Sequence, residues 1–352
     1  MFEKKIDFNF KITQEVINKI SFIDGFKGKW EAGENKNSRY LNELKRMATI
    51  ESIGSSTRIE GATLSDKEVA QLIQQVKITE FKTRDEEEVF GYYDVLDIIF
   101  ENYETLDLTE NNIKQLHGLL LKYSSKDQRH RGEYKQLTNQ VVANYPGGLQ
   151  RTIFKTTLPH LTEKEMSEMI QWVNEKSEKK DIHPLIIIGL FIYEFLSIHP
   201  FQDGNGRLSR LLTTLLLLRH NYPFIQYLSL EHIIEERKKD YYSALMNGQQ
   251  NRNTNDEIIH EWILFFLNCL ELLIRKLEIK IAYSAVKSIH LNDRHQQIKI
   301  LIENRNSVKL NDIVTALKDI SVNTIKKDLK FLLNENIIER IGNGKASAYL
   351  LK

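Results

Sequence analysis

The sequence predicts a mainly α-helical protein in two or three domains, with one β-hairpin inside the helical part and a small mixed module at the C-terminal end. Three observations predict it. Proline is scarce, five in 352 residues, so long helices go unbroken. Apolar residues recur at helical spacing over most of the chain. Helix starts are written as capping boxes, Ser65-Asp66-Lys67-Glu68 and Thr162-Glu163-Lys164-Glu165, in which hydroxyl and carboxylate each satisfy a free backbone N–H. A length of 352 residues exceeds what one small core fills.

In chain order, the spacing predicts helices near 12–22, 38–59, 65–77, 85–102, 109–122, 162–176, 184–198, 205–220, 229–248 and 255–285. Two regions break the pattern. In 137–155, strand-like Gln140-Val141-Val142-Ala143, a Pro146-Gly147-Gly148 turn and Thr152-Ile153-Phe154 make a hairpin signature. After a boundary near Ser284–Arg294, helices are expected at 296–304, 309–317 and 322–334, the last capped by Ser321. Strands Ile337–Ile341 and Ala346–Leu351 then flank Gly342-Asn343-Gly344-Lys345, a tight turn. Three helices followed by a hairpin is the winged-helix order. The expected division is 1–90, an N-terminal helical region; 91–285, a catalytic core; and 286–352, a winged helix-turn-helix domain. No repeat or low-complexity tract is visible.

The apolar share, 41%, is that of an ordinary globular protein. A net charge of +1 supplies no global field to recruit nucleic acid or membrane. The single cysteine, Cys269, lies in an apolar run and reads as a core thiol; one cysteine permits no internal disulfide and fits a reducing cytosol. The first residues lack the apolar core of a signal peptide. The apolar runs Leu185–Ile198 and Leu211–Leu218 fall short of the roughly 20 residues a membrane span needs. A cytoplasmic protein without membrane association is the expectation.

The chemistry concentrates in His199-Pro200-Phe201-Gln202-Asp203-Gly204-Asn205-Gly206-Arg207-Leu208-Ser209-Arg210, between two apolar helices. A helix N-terminus presents unpaired N–H groups and partial positive charge. Gly204 and Gly206 let the backbone bend and approach an anion, which makes a phosphate cradle. Arg207 and Arg210, three apart, share one side of the first turn and can fork onto oligophosphate oxygens. Asp203 is a hard oxygen ligand suited to Mg²⁺, which takes one or two carboxylates plus substrate phosphates. His199 ends the preceding helix as a general base near neutrality. Base, carboxylate, anion cradle and two cations within twelve residues point to an anion site, without naming the reaction.

This stretch resembles the signature of the Fic family, His-x-Phe-x-Asp/Glu-Gly-Asn-Gly-Arg-x-x-Arg, at every defined position. The acidic helix Asp85–Asn102, Leu116-His117, Gly132-Glu133-Tyr134 and Tyr241-Tyr242 extend the resemblance over about residues 40–250. It implies a Fic-type helical core with a β-hairpin flap, and transfer of AMP from ATP to a Ser, Thr or Tyr hydroxyl of a target protein or of the chain itself. His199 is then the base and Asp203 the Mg²⁺ ligand. Asn205 contacts the α-phosphate, the Gly204–Gly206 backbone the β-phosphate, and Arg207 and Arg210 the outer phosphates. Phe201 anchors the loop. The hairpin 139–155 becomes the flap along which the target lies as an added strand. Thr152, Ile153, Phe154 and Lys155 line the nucleotide edge, and Tyr241 and Gln249 fall where the family contacts adenine. Gln249 departs from the Asn frequent there.

Upstream, Ser55-Ser56-Thr57-Arg58-Ile59-Glu60-Gly61 reads by itself as a helix end stopped by glycine. Beside the Fic loop it resembles the family's inhibitory motif, Ser/Thr-x-x-x-Glu-Gly/Asn, at Ser56, Glu60 and Gly61. The resemblance implies that Glu60 pairs with Arg210 in the place of the γ-phosphate. Alternatively, the same glutamate positions water for removing AMP. The motif can act within one chain or across a swapped homodimer.

In the C-terminal module, Lys326, Lys327 and Lys330 lie on the third helix and Lys345 on the wing, with Asp328 interrupting the cluster. From Arg294 to Lys352 there are eleven Lys or Arg and six Asp or Glu, so DNA and a protein partner both stay open. Two rival readings remain: transfer of UMP, phosphocholine or a phosphoryl group on the same fold, or a DNA-binding regulator that senses nucleotide without chemistry.

Overall fold

The computed structural model describes residues 2–33, 39–74, 81–144, 150–257, 259–288, 291–335, 337–342 and 347–352. It divides into two compact units, Met1–Leu277 and Glu278–Lys352.

The first unit opens with α1 (Phe2–Lys5), α2 (Phe10–Ala32), α3 (Arg39–Glu60), α4 (Asp66–Gln74), α5 (Arg84–Asn102) and α6 (Glu110–Leu120). A hairpin of β1 (Gln140–Asn144) and β2 (Gln150–Lys155) follows. Then come α7 (Pro159–Lys179), α8 (Pro184–Ile198), α9 (Asn205–Arg219), a 3-10 turn (Pro223–Tyr227), α10 (Leu230–Glu236), α11 (Lys238–Gln249) and α12 (His260–Ser288), which runs past the unit's last residue, Leu277. The unit is built around α8, buried at every residue from Leu185 to Ile198. A helix apolar all round has to be wrapped by others, and α7 and α9 flank it. On another side of α9 lie α3 and α5, so α3, which carries the Ser56–Gly61 motif, reaches the helix that starts at Asn205.

Most helix boundaries match the spacing in the sequence. The Ser65–Glu68 box is formed: Ser65 N–H donates to Glu68 Oε2 at 2.8 Å and Glu68 N–H to Ser65 Oγ at 3.4 Å. The Thr162–Glu165 box is not a helix start. α7 begins earlier, with Pro159 in its first turn, and Thr162 Oγ1 donates back to Leu158 O at 3.1 Å. The helix expected over 229–248 is two, broken at Arg237 (φ −112°, ψ 27°). No proline or glycine marks that break. Residues on both sides of it, Glu235 and Lys238, bond to α3 instead. α1, the 3-10 turn and a short strand at Val308–Lys309 left no sequence signal strong enough to predict.

In the hairpin, Val141 pairs with Phe154 and Val142 with Thr152 along an antiparallel ladder. Ile153 is skipped, a bulge that adds local twist. The predicted Pro146-Gly147-Gly148 turn lies outside the described residues.

The second unit has α13 (Asp293–Arg305), β3 (Val308–Lys309), α14 (Leu310–Ala316), α15 (Val322–Asn334), β4 (Ile338–Ile341) and β5 (Ala348–Leu351), with antiparallel sheet order β3-β5-β4. Its own core is Ile298, Ile302, Val308, Ile313, Ile325, Leu329, Leu332 and Ile338. The wing tip, including Lys345, lies outside the described residues. Asp328 does not interrupt the basic face of α15. It is buried, accepting from Arg294 Nε at 2.9 Å and lying 3.0 Å from His295 Nε2. Lys326, Lys327 and Lys330 are exposed. Among the described residues no helix is long and apolar enough to cross a membrane.

Candidate active site

α8 stops at His199, which adopts the left-handed conformation (φ 53°, ψ 61°) while its N–H still caps Phe195 O at 2.9 Å. A non-glycine residue in this region is uncommon and turns the chain sharply. Five residues later Gly204 (φ 77°) turns it again, into the N-terminus of α9. Glycine meets that requirement without a Cβ penalty.

Between the two turns the loop is fastened inward. Phe201 is fully buried and stacks on His117 at 3.8 Å. Asn205 clasps the Phe201 backbone from both directions: its Oδ1 accepts from Phe201 N–H at 2.9 Å and its Nδ2 donates to Phe201 O at 2.7 Å. His117 Nδ1 accepts from Gly132 N–H at 2.8 Å, which leaves Nε2–H to donate to Asp203 O at 3.0 Å. Burial pushes this imidazole down to about 4, so one neutral tautomer is fixed by its partners. Asn139 Nδ2 reaches Phe201 O at 2.7 Å, and Lys135 Nζ reaches Ile198 O, Asn139 Oδ1 and Thr156 Oγ1 at 2.9–3.0 Å. Both ends of the hairpin are thereby tied to the loop.

His199 Nδ1 lies 3.3 Å from Leu196 O. A carbonyl only accepts, so Nδ1 carries the proton and Nε2 the lone pair. Burial lowers the imidazole to about 4, and Lys135 works the same way, while Glu60 and Asp203 oppose. At neutral pH His199 is a neutral acceptor.

The charges form two clusters. In one, Asp203 accepts from Gly204 N–H at 2.6 Å and from Arg84 Nη2 at 3.0 Å, and lies 3.4 Å from Arg207 Nη2. Burial raises its carboxyl, but Arg207, the Gly204 amide and Arg84 outweigh that and hold it below its ordinary range. Arg207 is buried, with Nη1 3.4 Å from Glu88 Oε2, and its Nε and Nη1 have no hydrogen-bond partner. Buried guanidinium donors without partners are costly.

In the other cluster, Arg210 Nε donates to Ser56 Oγ at 2.7 Å, and Nη2 to Ser56 O at 2.9 Å and Glu60 Oε1 at 2.8 Å. Glu60 keeps about a third of its side chain exposed (34%). Burial works to raise its carboxyl, and Arg210, Arg207 and His199 together overcome that and lower it. A Cβ on Gly206 would strike Glu60 Oε1. Glycine at 206 is therefore what admits this carboxylate to the start of α9. Gly61 (φ 112°) ends α3 immediately afterwards.

The structure thus brings His199, Asp203, Gly204, Asn205, Gly206, Arg207, Arg210, Ser56, Glu60 and Gly61 to one place. Tyr241 is close but enclosed. It packs on Trp262 and Phe265, burial raises its hydroxyl to about 12, and it lines with Arg210 a small space of about 20 Å³, room for one water. Gln249 is buried, donating to Ser197 Oγ at 3.0 Å with Oε1 unpartnered. In the flap, Phe154 is half-buried and Lys155 exposed. Thr152 and Ile153 lie in the β2 strand, and their side chains are outside the described residues.

Sequence reasoning missed Lys135, Asn139, Arg84 and Glu88 and gave His117 no role. For His117 a signal existed: it lies on the apolar stripe Ile113-Leu116-His117-Leu120, so it is buried and needs partners for both nitrogens. The others act through contacts 60 to 119 residues away in sequence, which spacing does not encode.

A family model described as Fic/DOC family matches residues 107–217, and one described as a DeoR-like helix-turn-helix domain matches residues 294–349. The chain is 27% identical over 233 residues to the protein adenylyltransferase Fic of Drosophila grimshawi, covering 66% of this chain and 43% of that protein. Against the Drosophila virilis protein of the same name it is 26% identical over 268 residues, covering 76% and 48%. The chain thus spans less than half the length of these relatives. Among solved structures, a Fic family protein from Desulfovibrio desulfuricans aligns over 96% of both chains at 23% identity and TM-score 0.62. A Fic domain containing signaling protein from Bacteroides thetaiotaomicron aligns over 72% of this chain and 94% of its own at 24% identity and TM-score 0.60. The mainly helical fold with its small antiparallel hairpin is that of these proteins, and the chain carries a Fic/DOC family domain over residues 107–217 followed by a DeoR-like helix-turn-helix domain over residues 294–349.

Proposed function

We propose that this chain is a protein adenylyltransferase: it moves AMP from ATP to a side-chain hydroxyl of a target protein or of itself, and Glu60 restrains it. His199 Nε2 takes the proton of the attacking hydroxyl. The oxygen forms a bond to the α-phosphorus, the bond from that phosphorus to the bridging oxygen breaks, and pyrophosphate leaves. The Gly204–Gly206 amides, Arg207 and Arg210 hold the phosphates, and Asn205, whose side-chain amide is spent on the Phe201 backbone, fixes the loop that presents them, so the chain's own contribution is positioning and electrostatic stabilisation. Among the described residues no three His, Cys, Asp or Glu side chains cluster so as to hold a metal ion by themselves. A Mg²⁺ ion held by Asp203 would need phosphate oxygens for its remaining ligands, which suits this ion. Bound there, it would neutralise phosphate charge.

The observation that carries the reading is the Glu60 carboxylate itself. It sits at the start of α9, against Gly206 and on Arg210. An anion already occupies the seat proposed for a phosphate, near enough to His199 for the two groups to influence each other's charge. Retention of an acceptor nitrogen favours chemistry over nucleotide sensing. We infer 1–90 as the restraining region and 91–285 as the catalytic part. The experiment is parallel incubation with α-labelled and γ-labelled ATP. Label from the α position alone should enter protein, and His199→Ala should abolish it. Entry of γ-label would indicate phosphoryl transfer instead.

For the second unit, nucleic-acid binding by α15 is the reading we favour. The inward Asp328 leaves Lys326, Lys327 and Lys330 as an unbroken basic face, and phosphate contact by such a face is salt-dependent. A gel shift across salt concentrations tests it. Absence of any shift at low salt would favour a protein partner.

A further inference from the structure

Within the motif, Arg58 lies between Ser56 and Glu60 but two residues from each, so it points to the opposite side of α3. All five of its N–H donors are used. Nε and Nη2 fork onto Glu235 at 2.8 and 3.0 Å, Nη2 also reaches Ser55 Oγ at 3.1 Å, and Nη1 reaches Asp66 Oδ1 at 2.9 Å and Leu64 O at 3.0 Å. This ties the last turn of α3 to α10 on one side and α4 on the other. Lys238 Nζ adds a bond to Ile59 O at 2.6 Å, one of the carbonyls a helix end leaves unpaired.

Gly54 shows that the arrangement is built into the helix. A glycine inside a helix weakens it, yet a Cβ here would lie 2.5 Å from Asp66 Oδ1 and 2.6 Å from Arg58 Nη1. The missing side chain makes room for the pair to cross α3.

We propose that Arg58 is the positioning residue of the Glu60 restraint: its grip on Glu235 and Asp66 fixes the rotation of the last turn of α3 and so sets Glu60 against Gly206 and Arg210. The inference rests on the reading of Glu60 as inhibitory. That turn is held from two faces, by Arg210 on one and by Glu235 and Asp66 on the other, and Gly61 ends it at once. Loosening the outer grip lets the turn fray or rotate with every nucleotide-binding residue left intact. The restraint can then be lifted from outside the site, through whatever shifts α4 or α10.

The test is incorporation of α-labelled AMP by the full chain as wild type, Glu60→Gly, Arg58→Ala, Glu235→Ala, Gly54→Ala and Arg58→Ala in the Glu60→Gly background, each checked by thermal melt. Glu60→Gly should give the largest rise. The three outer variants should each rise by about fivefold or more, as expected for losing a charge-assisted bond, without exceeding Glu60→Gly. The double variant should match Glu60→Gly. A merely structural role for Arg58 would lower labelling, not raise it. If Glu60→Gly rises while the folded outer variants stay at wild-type level, the positioning role is overturned and the Glu60 reading survives. If Glu60→Gly does not rise, the inhibitory reading fails and the positioning role falls with it. Should Arg58→Ala not fold, Glu235→Ala and Gly54→Ala decide the matter.

Discussion

Arg210 and Glu60 meet through a bond of 2.8 Å between Nη2 and Oε1, and Ser56 takes two further bonds from the same guanidinium. Nε and Nη2 of this cation at the start of α9 are thus engaged by one turn of α3. A phosphate placed against the same nitrogens would have to compete with Glu60 and Ser56 for them.

Ser56 is the neutral part of this engagement. Ser56→Ala removes the acceptor of Arg210 Nε but leaves the carboxylate pair. Loss of such a bond is worth about 1 kcal/mol, so AMP incorporation should rise severalfold, well short of Glu60→Gly. Initial rates with labelled ATP check it.

The buried imidazoles make the protein acid-sensitive in a definite direction. Burial lowers His117 from 6.5 to about 4. Between those values the unfolded chain binds a proton that the folded chain refuses, so stability is full above about 6.5 and falls as pH drops toward 4. The window corresponds to on the order of 3 kcal/mol. His117→Phe removes that titration and keeps an aromatic ring against Phe201. Denaturation midpoints measured from pH 7 to 4 should show a shallower decline than in wild type.

His199 has the same sign and a kinetic consequence. With its imidazole lowered to about 4, the base stays neutral through mildly acidic solution. In the Glu60→Gly background a raising charge is gone as well. The pH profile of kcat/KM should therefore hold its acid limb until near pH 4, not pH 6.5. A limb centred at 6.5 would mean that His199 is solvated.

On α15, three exposed lysines should each release about one counterion from DNA. Replacing Lys326, Lys327 and Lys330 with Gln should reduce the slope of log K against log salt by about 2.7, measured by fluorescence anisotropy on duplex DNA. The melting temperature should not move, since Asp328 keeps its partners Arg294 and His295.

Much of this architecture was legible in the chain because it is local. The turn at Gly204, the cradle at the start of α9 and the stop at Gly61 each follow from residue types a few positions apart. What was not legible depends on distant partners. Counting charges along Lys326, Lys327, Asp328 and Lys330 overlooks the helix phase that puts Asp328 on the face of Ile325, Leu329 and Leu332, and its partners Arg294 and His295 lie 34 and 33 residues away. The break at Arg237 lacks any local breaker and follows from bonds that Glu235 and Lys238 make to α3. Tyr241 and Gln249, which the resemblance puts where the family contacts adenine, are buried beside Arg210 and Ser197, a packing depth that no spacing reveals.

The proposed transfer, with His199 as base and Glu60 as restraint, comes down to one comparison. Initial rates of AMP incorporation from α-labelled ATP are measured for wild type, Glu60→Gly and Glu60→Gly with His199→Ala. A large gain in the single variant, abolished in the double variant with ATP still bound, is the predicted result. Equal labelling in wild type and Glu60→Gly, or undiminished labelling after loss of His199, would contradict it.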